Sequence, residues 1–382
     1  MMRKYEVVVI GAGPAGLSAA IECAKAGAKV LVIDENNQPG GQLFKQIHKF
    51  FGSKEHRAGI RGIHIGEQLL KETEALGIEV WLDSEVCGID EDKSIWVTKR
   101  KQESICILGE RIIIASGATE NSIPFEGWTL PGVMGAGAAQ TMMNCHRVLP
   151  GKRVLMIGSG NVGVIVSYQL LQAGADVAGI VEAAPTLGGY GVHTAKVRRA
   201  GVPFYTGYTV NKALGEKHVE AAEIVKLDSN WSPVQGSEEI IATDTICLAV
   251  GLTPLIELAW LSGCQFTYSN KMGGQVPIHN RYMETTVKGL YVAGDVSGIE
   301  EASTAMEEGR LAGISAAWSL GYYDNKKADA LIEEEWRRLD LLRCGQFGIK
   351  RKTSKDEILS KWEEMQNAKN FKNHRSTFAG GA

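Results

Sequence analysis

Residues 5–35 read "YEVVVIGAGPAGLSAAIECAKAGAKVLVIDE". The apolar run Val7–Ile10 predicts a strand, the next segment a glycine turn and a helix, and "KVLVID" a second strand. In such a unit Gly11 permits the tight turn, Gly13 lets a pyrophosphate approach the backbone, and Gly16 lets the helix pack on the strand. The helix opens at Pro14 and Ala15, and the free N–H groups from Ala15 onward, with the positive dipole end, favour phosphates. Asp34, followed by Glu35, ends the second strand about twenty residues on, where it can accept ribose hydroxyls. A purely structural glycine turn is the alternative. It leaves the strand before, the helix after and the acid in place without a common reason.

Residues 152–182, "KRVLMIGSGNVGVIVSYQLLQAGADVAGIVE", repeat the plan. Gly158, Gly160 and Gly163 frame Asn161 and Val162, and Glu182 is the acid. The following "EAAP" offers no arginine for a 2′-phosphate, and a carboxylate bonds hydroxyls but repels phosphate. The expected nucleotide is NAD(H) rather than NADP(H), with discrimination of about 1–3 kcal/mol. The alternatives are a degenerate unit that binds nothing and one that takes another nucleotide such as ATP.

Each copy leads into β-rich sequence with alternating apolar and polar residues: "IEVWLDSEVCGID", "KSIWVTKR" and "SICILGERIIIASG" after the first, "VPFYTGYTV", "AAEIVKLDSN" and "TDTICLAVG" after the second. The fold class is therefore α/β, with two Rossmann-like dinucleotide-binding modules, each carrying a β-meander. "YVAGD" ends a further strand at Gly294 and Asp295 and precedes a helix expected near Ala302, with Ser303 and Thr304 in its first turn. This piece belongs with the first module. The expected division is 1–120 and 274–324 for a discontinuous first dinucleotide-binding domain, 121–273 for the second, and 325–382 for a helical C-terminal tail. In the tail, Leu331, Trp336, Leu339 and Leu342 share one helical face. "SKDE" from Ser354 to Glu357 reads as a capping box before Ile358, Leu359, Trp362 and Met365. These faces dock on the body or on a partner.

Composition narrows the function classes. A formal net charge of -3 argues against a general nucleic-acid surface. No segment is long and apolar enough to span a bilayer. The N-terminal "MMRKYEVVVIGAGPAGLSAA" has the outline of a signal peptide, but Glu6 interrupts it and the glycine pattern accounts for it. The seven cysteines are scattered, with no C-x-x-C pair, so zinc, an iron–sulfur cluster and a redox disulfide lack local support. This usage suits a cytoplasmic protein. Cys145 and His146 stand side by side, but adjacent helical residues diverge by about 100°, which favours a structural reading over a nucleophile pair.

Two nucleotide modules plus "AGD" resemble the two-dinucleotide-binding-domain flavoproteins over about residues 5–320. The resemblance implies FAD on the first module and NAD(H) on the second. It implies that Ala115, Ser116 and Gly117 ("ASG") and Ala249–Gly251 ("AVG") follow the crossover strands, that Val86 contacts the FAD adenine, and that Asp295 bonds the ribityl chain. A narrower likeness lies in "ENSIPFEGWTLPGVMGAGAAQ" (Glu120–Gln140), "GGQLFKQIHKFFGS" and "EAAPTLGGY". These segments are similar to the α-type subunits of dye-linked proline dehydrogenase, sarcosine oxidase, opine oxidase and hydrogen cyanide synthase. In that group a partner subunit oxidises an amino or imino acid on its own flavin. Many members carry a cysteine cluster motif in a C-terminal extension. Here only Cys344 is present, so a cluster would sit on a separate iron–sulfur subunit.

Where disulfide reductases of this general type often place a cysteine pair, residues 40–56 read "GGQLFKQIHKFFGSKEH". Gly40 and Gly41 are expected to let the backbone approach a flavin. Gln42 can bond its edge, and His48 either donates to flavin or substrate or belongs to a solvated loop. Phe50 and Phe51 either line an exit for electrons or pack. No other catalytic side chain is singled out; the chemistry would rest on flavin and nicotinamide. The leading expectation is an FAD- and NAD-dependent oxidoreductase subunit of a heteromeric amino- or imino-acid dehydrogenase. A free-standing NADH:acceptor reductase and a non-catalytic assembly subunit with bound nucleotides are the alternatives.

Overall fold

The computed structural model describes residues 2–379, the side chains of Phe347 and of residues 369–379 excepted. The chain opens with β1 (Arg3–Ile10), α1 (Pro14–Ala26) and β2 (Val30–Ile33), as the glycine pattern requires. Pro14 suits the first turn of α1, where its missing N–H has no helical partner, and Gly27 closes the helix at φ 105°. After α2 (Gly62–Ala75) come β3 (Glu79–Trp81), β4 (Ser84–Ile89), β5 (Ser94–Lys99) and β6 (Glu103–Ile114). Short β7 (Ala118–Glu120) then carries the chain into a second unit.

That unit contains β8 (Val133–Gly135), α3 (Ala136–Asn144), β9 (Arg153–Ile157), α4 (Asn161–Gln172), β10 (Asp176–Glu182), α5 (Gly191–Arg199) and β11 (Phe204–Thr206). The meander β12 (Tyr208–Leu214), β13 (Ala221–Lys226) and β14 (Glu239–Ala242) follows, and then β15 (Thr245–Leu248). Short β16 (Leu252–Pro254) leads back to the first unit, through α6 (Glu257–Leu261), β17 (Phe266–Ser269), β18 (Gly274–Pro277), β19 (Leu290–Val292), α7 (Ala302–Ser319), α8 (Asn325–Leu342) and α9 (Gly345–Ala379).

In the first unit the strand order is β3-β2-β1-β6-β5-β4, with β19 also on β6. The long β6 serves three neighbours. Its first half pairs antiparallel with β5, and its second half pairs parallel with β1 and β19. The meander is thus continuous with the main sheet. All four residues of β2 are buried, as expected for a parallel strand covered on both faces. One face packs on α1, α7 and α8, and the other on the meander and α6. In the second unit β11-β10-β9-β15-β8 form a parallel sheet, and β12-β13-β14 stand apart as their own sheet.

The units differ from the expected division at one end. They comprise residues up to Thr119 with those from Thr253 onward, and Glu120–Leu252. Residues 253–273 belong to the first unit, not the second, because Ala259 on α6 and Cys264 pack with Ile95, Val97 and Ile107 of its meander.

The tail is also part of that unit. Asp324 caps α8 by accepting from the Lys327 amide at 2.8 Å. Ile332 and Leu339 enter the main core, with Leu331 and Trp336 packed against it. The Trp336 indole N–H donates to the Arg281 carbonyl at 3.1 Å. Ile358 of α9 packs with Met272 and Val276. The apolar face of α8 therefore docks on the chain's own body. On α9 Ile358 does so, whereas Leu359, Trp362 and Met365 are half-buried. The expected capping box is absent, because Ser354 lies well inside α9 and its hydroxyl donates to the Lys350 carbonyl at 3.3 Å. Cys145 and His146 lie beyond the end of α3, with both amides bonded to the Thr141 carbonyl, so their relative direction is that of a helix-terminal turn.

Candidate functional site

In the first unit Gly11 takes φ 103°, and a Cβ on it would collide with the Ala115 carbonyl. A Cβ on Gly16 would collide with the Gly11 carbonyl, whereas one on Gly13 would meet no atom within 4 Å. The outer glycines are thus fixed by packing and the middle one faces open space, where a phosphate group can approach. Asp34, 7% exposed, is held from both sides. The Ala12 amide donates to its Oδ2 at 2.6 Å, and the Asn36 amide and side chain donate to its Oδ1 at 2.8 Å. Glu35 is exposed beside it.

The 40–45 turn sits directly on this loop. The Gly40 amide donates to the Ala12 carbonyl at 2.7 Å. A Cβ on Gly41 would lie 2.8 Å from Gly13 Cα, and one on Gly40 would enter the Phe44 ring. These glycines therefore serve contact with the Gly13 loop and with Phe44. Gln42 is exposed next to them. His48 stacks on Phe50 at 6.0 Å. Phe50 is a core residue and Phe51 is 46% exposed, so the two adjacent rings have separate surroundings.

The Gly294–Asp295 turn reaches the same place, since a Cβ on Gly294 would lie 2.8 Å from that of Ala15. Ser303 and Thr304 are buried in the first turn of α7, and the Thr304 hydroxyl donates to the Glu301 carbonyl at 2.6 Å. Ala115 is buried at the end of β6, and the Ser116 hydroxyl donates to the Leu255 carbonyl at 2.7 Å. Val86 is half-buried on β4, at a bulge.

A buried charge network stands behind Asp295, and the sequence reading missed it. Glu308 of α7 accepts from the Gly294 amide at 3.1 Å and lies 2.9 Å from the Ser297 hydroxyl. Arg343, at the end of α8, donates to Glu308 at 2.5 Å and to Glu300 at 2.5 Å. Lys355 of α9 donates to Glu308 at 2.8 Å and to the Ser297 carbonyl and hydroxyl at 3.0 and 2.9 Å, which satisfies its three N–H groups. Burial alone would raise the Glu308 pKa, but Lys355 and Arg343 outweigh it and hold the carboxyl well below its ordinary range. Asp295 shifts the other way. Loss of solvent pushes it up to about 6, with Glu308 adding to the rise and Lys355 opposing it. The only prior signal for this network was charge in an otherwise amphipathic tail.

The second unit repeats the frame. Gly158 takes φ 104° against the Ala249 carbonyl, Gly163 presses on the Gly158 carbonyl, and Gly160 faces open space. Glu182 accepts from the Ser159 amide at 2.9 Å, the Ser159 hydroxyl at 2.5 Å and the Ala184 amide at 2.9 Å. The loop after β10 is tied back on the glycine turn. The Gly188 amide donates to the Ser159 hydroxyl, and the Tyr190 amide to Asn161 Oδ1, both at 2.9 Å. Val162 is 42% exposed, and the Gly251 carbonyl accepts from the Asn121 amide at 3.0 Å.

All seven cysteines are free thiols. Burial pushes Cys247 up to about 12 and raises Cys23 and Cys264, so none of these three is a ready thiolate. Among the described residues no helix is long and apolar enough to cross a membrane.

Comparison with known proteins agrees with this geometry. The family model for pyridine nucleotide-disulphide oxidoreductases matches residues 5–309. The A-type subunit of opine oxidase from Agrobacterium tumefaciens is 30% identical over 356 residues, which cover 86% of this chain and 68% of that one. The HcnB subunit of hydrogen cyanide synthase from Pseudomonas protegens is 27% identical, covering 84% of this chain and 72% of that one. Among solved structures, thioredoxin reductase of T. acidophilum superposes with a TM-score of 0.67 at 21% identity, over 83% of this chain and 99% of that one, a likeness of fold. Family and fold together imply binding of FAD and NAD(H). With two glycine–acid frames, an "AGD" turn and these relatives, the chain is an oxidoreductase that belongs to the pyridine nucleotide-disulphide oxidoreductase family and is related to the A-type subunits of opine oxidases.

Proposed function

We propose that the chain is the FAD- and NAD(H)-binding subunit of a heteromeric amino- or imino-acid dehydrogenase. FAD belongs to the first unit and NAD(H) to the second. The observation that carries this reading is the pair of open middle glycines, Gly13 and Gly160, each beside an acid fixed by the amide of the preceding loop residue. The relatives named as subunits of opine oxidase and hydrogen cyanide synthase supply the heteromeric setting.

The residues present fit both groups. Asp34 and Glu182 keep lone pairs for ribose hydroxyls, and the amides that open α1 and α4 face the pyrophosphates. In the first unit, Asp295 offers an acceptor to the ribityl chain. The N-terminus of α7 favours negative charge, which suits a reduced flavin. FAD, when bound, supplies two-electron exchange with nicotinamide and onward transfer to an acceptor. The protein's part is to place it, exclude water and set its surroundings. Gln42 and His48 remain proposed neighbours of the flavin, and Glu35, Val86 and the 115–117 turn proposed neighbours of its nucleotide half.

A second reading, a free-standing NADH:acceptor reductase, draws on the tail. The α8 face and Ile358 of α9 are occupied by the chain's own body, so they do not mark a partner surface. One experiment separates the readings. The tagged full-length chain is drawn from extract of its native cell, and the eluate is tested for flavin content, bleaching by NADH and co-eluting proteins. FAD, bleaching and a second flavoprotein together support the heteromeric dehydrogenase. FAD and bleaching with no second flavoprotein favour the free-standing reductase. A protein that neither releases FAD on denaturation nor bleaches contradicts both.

A further inference from the structure

A cavity of about 360 Å³ lies at the C-terminal end of α7, in the first unit. Lys93, Arg111 and Lys288 converge on it, with Tyr282, Glu284, Tyr291, Ser315 and Trp318 also in the wall. It lies about 22 Å along the helix from Ser303 and Thr304, by the rise per residue, so it is separate from the proposed flavin site.

The charge balance of this cavity is unusual. Lys93 donates to the Glu110 carbonyl at 3.0 Å. Arg111 donates to the Ser319 hydroxyl at 2.7 Å, the Ser319 carbonyl at 2.9 Å and the Glu110 carbonyl at 3.0 Å. None of the three cations pairs with a carboxylate among the described residues. Glu284, the one acid in the wall, accepts from the Gly289 amide at 2.8 Å. Three cations against one acid leave an excess of positive charge, and the Lys93 pKa is lowered first by burial and then by Arg111, with Glu284 opposing. A second observation points into the same space. The Ser315 hydroxyl, on a residue 1% exposed, has no hydrogen-bond partner. Buried polar groups are rarely left so without a reason.

We propose that this cavity binds a phosphate-bearing metabolite, its phosphoryl group set among Lys93, Arg111 and Lys288. The donor set favours phosphate over carboxylate. Arg111 already turns much of its fork to Ser319 and Glu110, so it has no free edge for bidentate pairing with a planar carboxylate. The lysines are compact point charges with rotatable donors, suited to a tetrahedral group carrying several oxygens. Tyr291, pushed up to about 12 by burial, stays a neutral donor. Tyr282 and Trp318, with ring centroids 5.4 Å apart, give an apolar wall for the organic part of the ligand. The volume suits a small phosphate ester.

The test is calorimetric titration of the full-length, FAD-loaded protein with phenyl phosphate, and with benzoate as the carboxylate counterpart. The expected result is one saturable phenyl phosphate site that weakens about tenfold or more in the Lys93→Met/Lys288→Met double variant. Benzoate should bind more weakly than phenyl phosphate in the wild type. Lys288 is exposed, so Lys288→Ser alone serves as a variant that leaves the fold untouched, and it should give a smaller loss in the same direction. The proposal is overturned if phenyl phosphate does not bind, if its affinity is the same in wild type and variants, or if benzoate binds equally well. Binding at either nucleotide loop would survive all three substitutions and so count as refutation.

Discussion

In the first unit the amide of Ala12 donates to Asp34, and the amide two residues past the acid, on Asn36, donates to its other oxygen. In the second unit the Ser159 amide donates to Glu182, and the Ala184 amide, again two residues on, donates to its other oxygen. Each unit places a Gly-Gly pair, Gly40–Gly41 or Gly188–Gly189, against its glycine turn. The difference lies in what backs the loop. The first unit packs α7 on α1 so closely that a Cβ on Gly309 or Gly313 would strike the Ala15 or Ala19 carbonyl. It then ties the Gly294–Asp295 turn to the tail through Glu308, Arg343 and Lys355. The second unit has no counterpart of that network among the described residues. One scaffold is therefore backed by a buried charge network in one unit and by none among the described residues in the other, a difference that suits the proposed resident cofactor and exchanging nucleotide.

The largest expected effect comes from breaking the anchor. Lys355→Met leaves Glu308 and Ser297 short of a buried partner, and such a loss is worth about 3–5 kcal/mol. Chemical denaturation should show that drop, with FAD released and NADH binding to the second unit retained. Equal loss of both nucleotides would erase the distinction between the units.

The next effect concerns Asp295. In the folded chain it keeps its proton to about pH 6, against an ordinary value of 3.8. The unfolded chain gives up that proton first. The favourable contribution is therefore full below about pH 4, declines as pH rises, and is gone above about pH 6. The fall is about 3 kcal/mol. Subtracting the stability profile of Asp295→Asn from that of the FAD-free wild type isolates it. A difference that is flat between pH 4 and 6, or that rises, contradicts the assignment.

The smallest effect sharpens the comparison of the two acids. The wild type should use NADH over NADPH by about 10- to 100-fold in rate over affinity. Glu182→Gln keeps an acceptor and removes the charge, so the preference should narrow, measured by flavin bleaching with each nucleotide. Asp34→Asn, in the other unit, should leave that ratio unchanged. A preference for NADPH in the wild type would refute the reading of Glu182.

Much of this architecture is legible in local sequence. The spacing from Gly11 to Asp34 and from Gly158 to Glu182 dictates both βαβ units, and the helix after "AGD" begins at Ala302 as expected. What escapes local reading is tertiary. Ala259 and Cys264 lie in a stretch too short to show a period, yet their burial returns the chain to the first unit at Thr253. Ser354 satisfies a capping pattern, but a helix already under way makes the pattern irrelevant. Arg343 and Lys355 read as solvated charges because nothing near them in sequence reveals Glu308. The spacing of Gly309 and Gly313 was visible, and a small-residue pair one helical turn apart is a usable sign of close helix packing.

The path of the chain also sets an order of assembly on the ribosome. The second unit is contiguous and can complete its core once Leu252 has emerged, whereas the first must hold β1 to β6 open until β19 and α7 arrive. Pairing of Leu290 with Ile112 closes a long loop, the kind of contact that slows folding. Lys355 comes later still, so the Gly294–Ser297 turn and Glu308 gain their last buried partner only near the end of synthesis. A nascent chain cut short before that residue would carry a finished second unit and an unfinished first one.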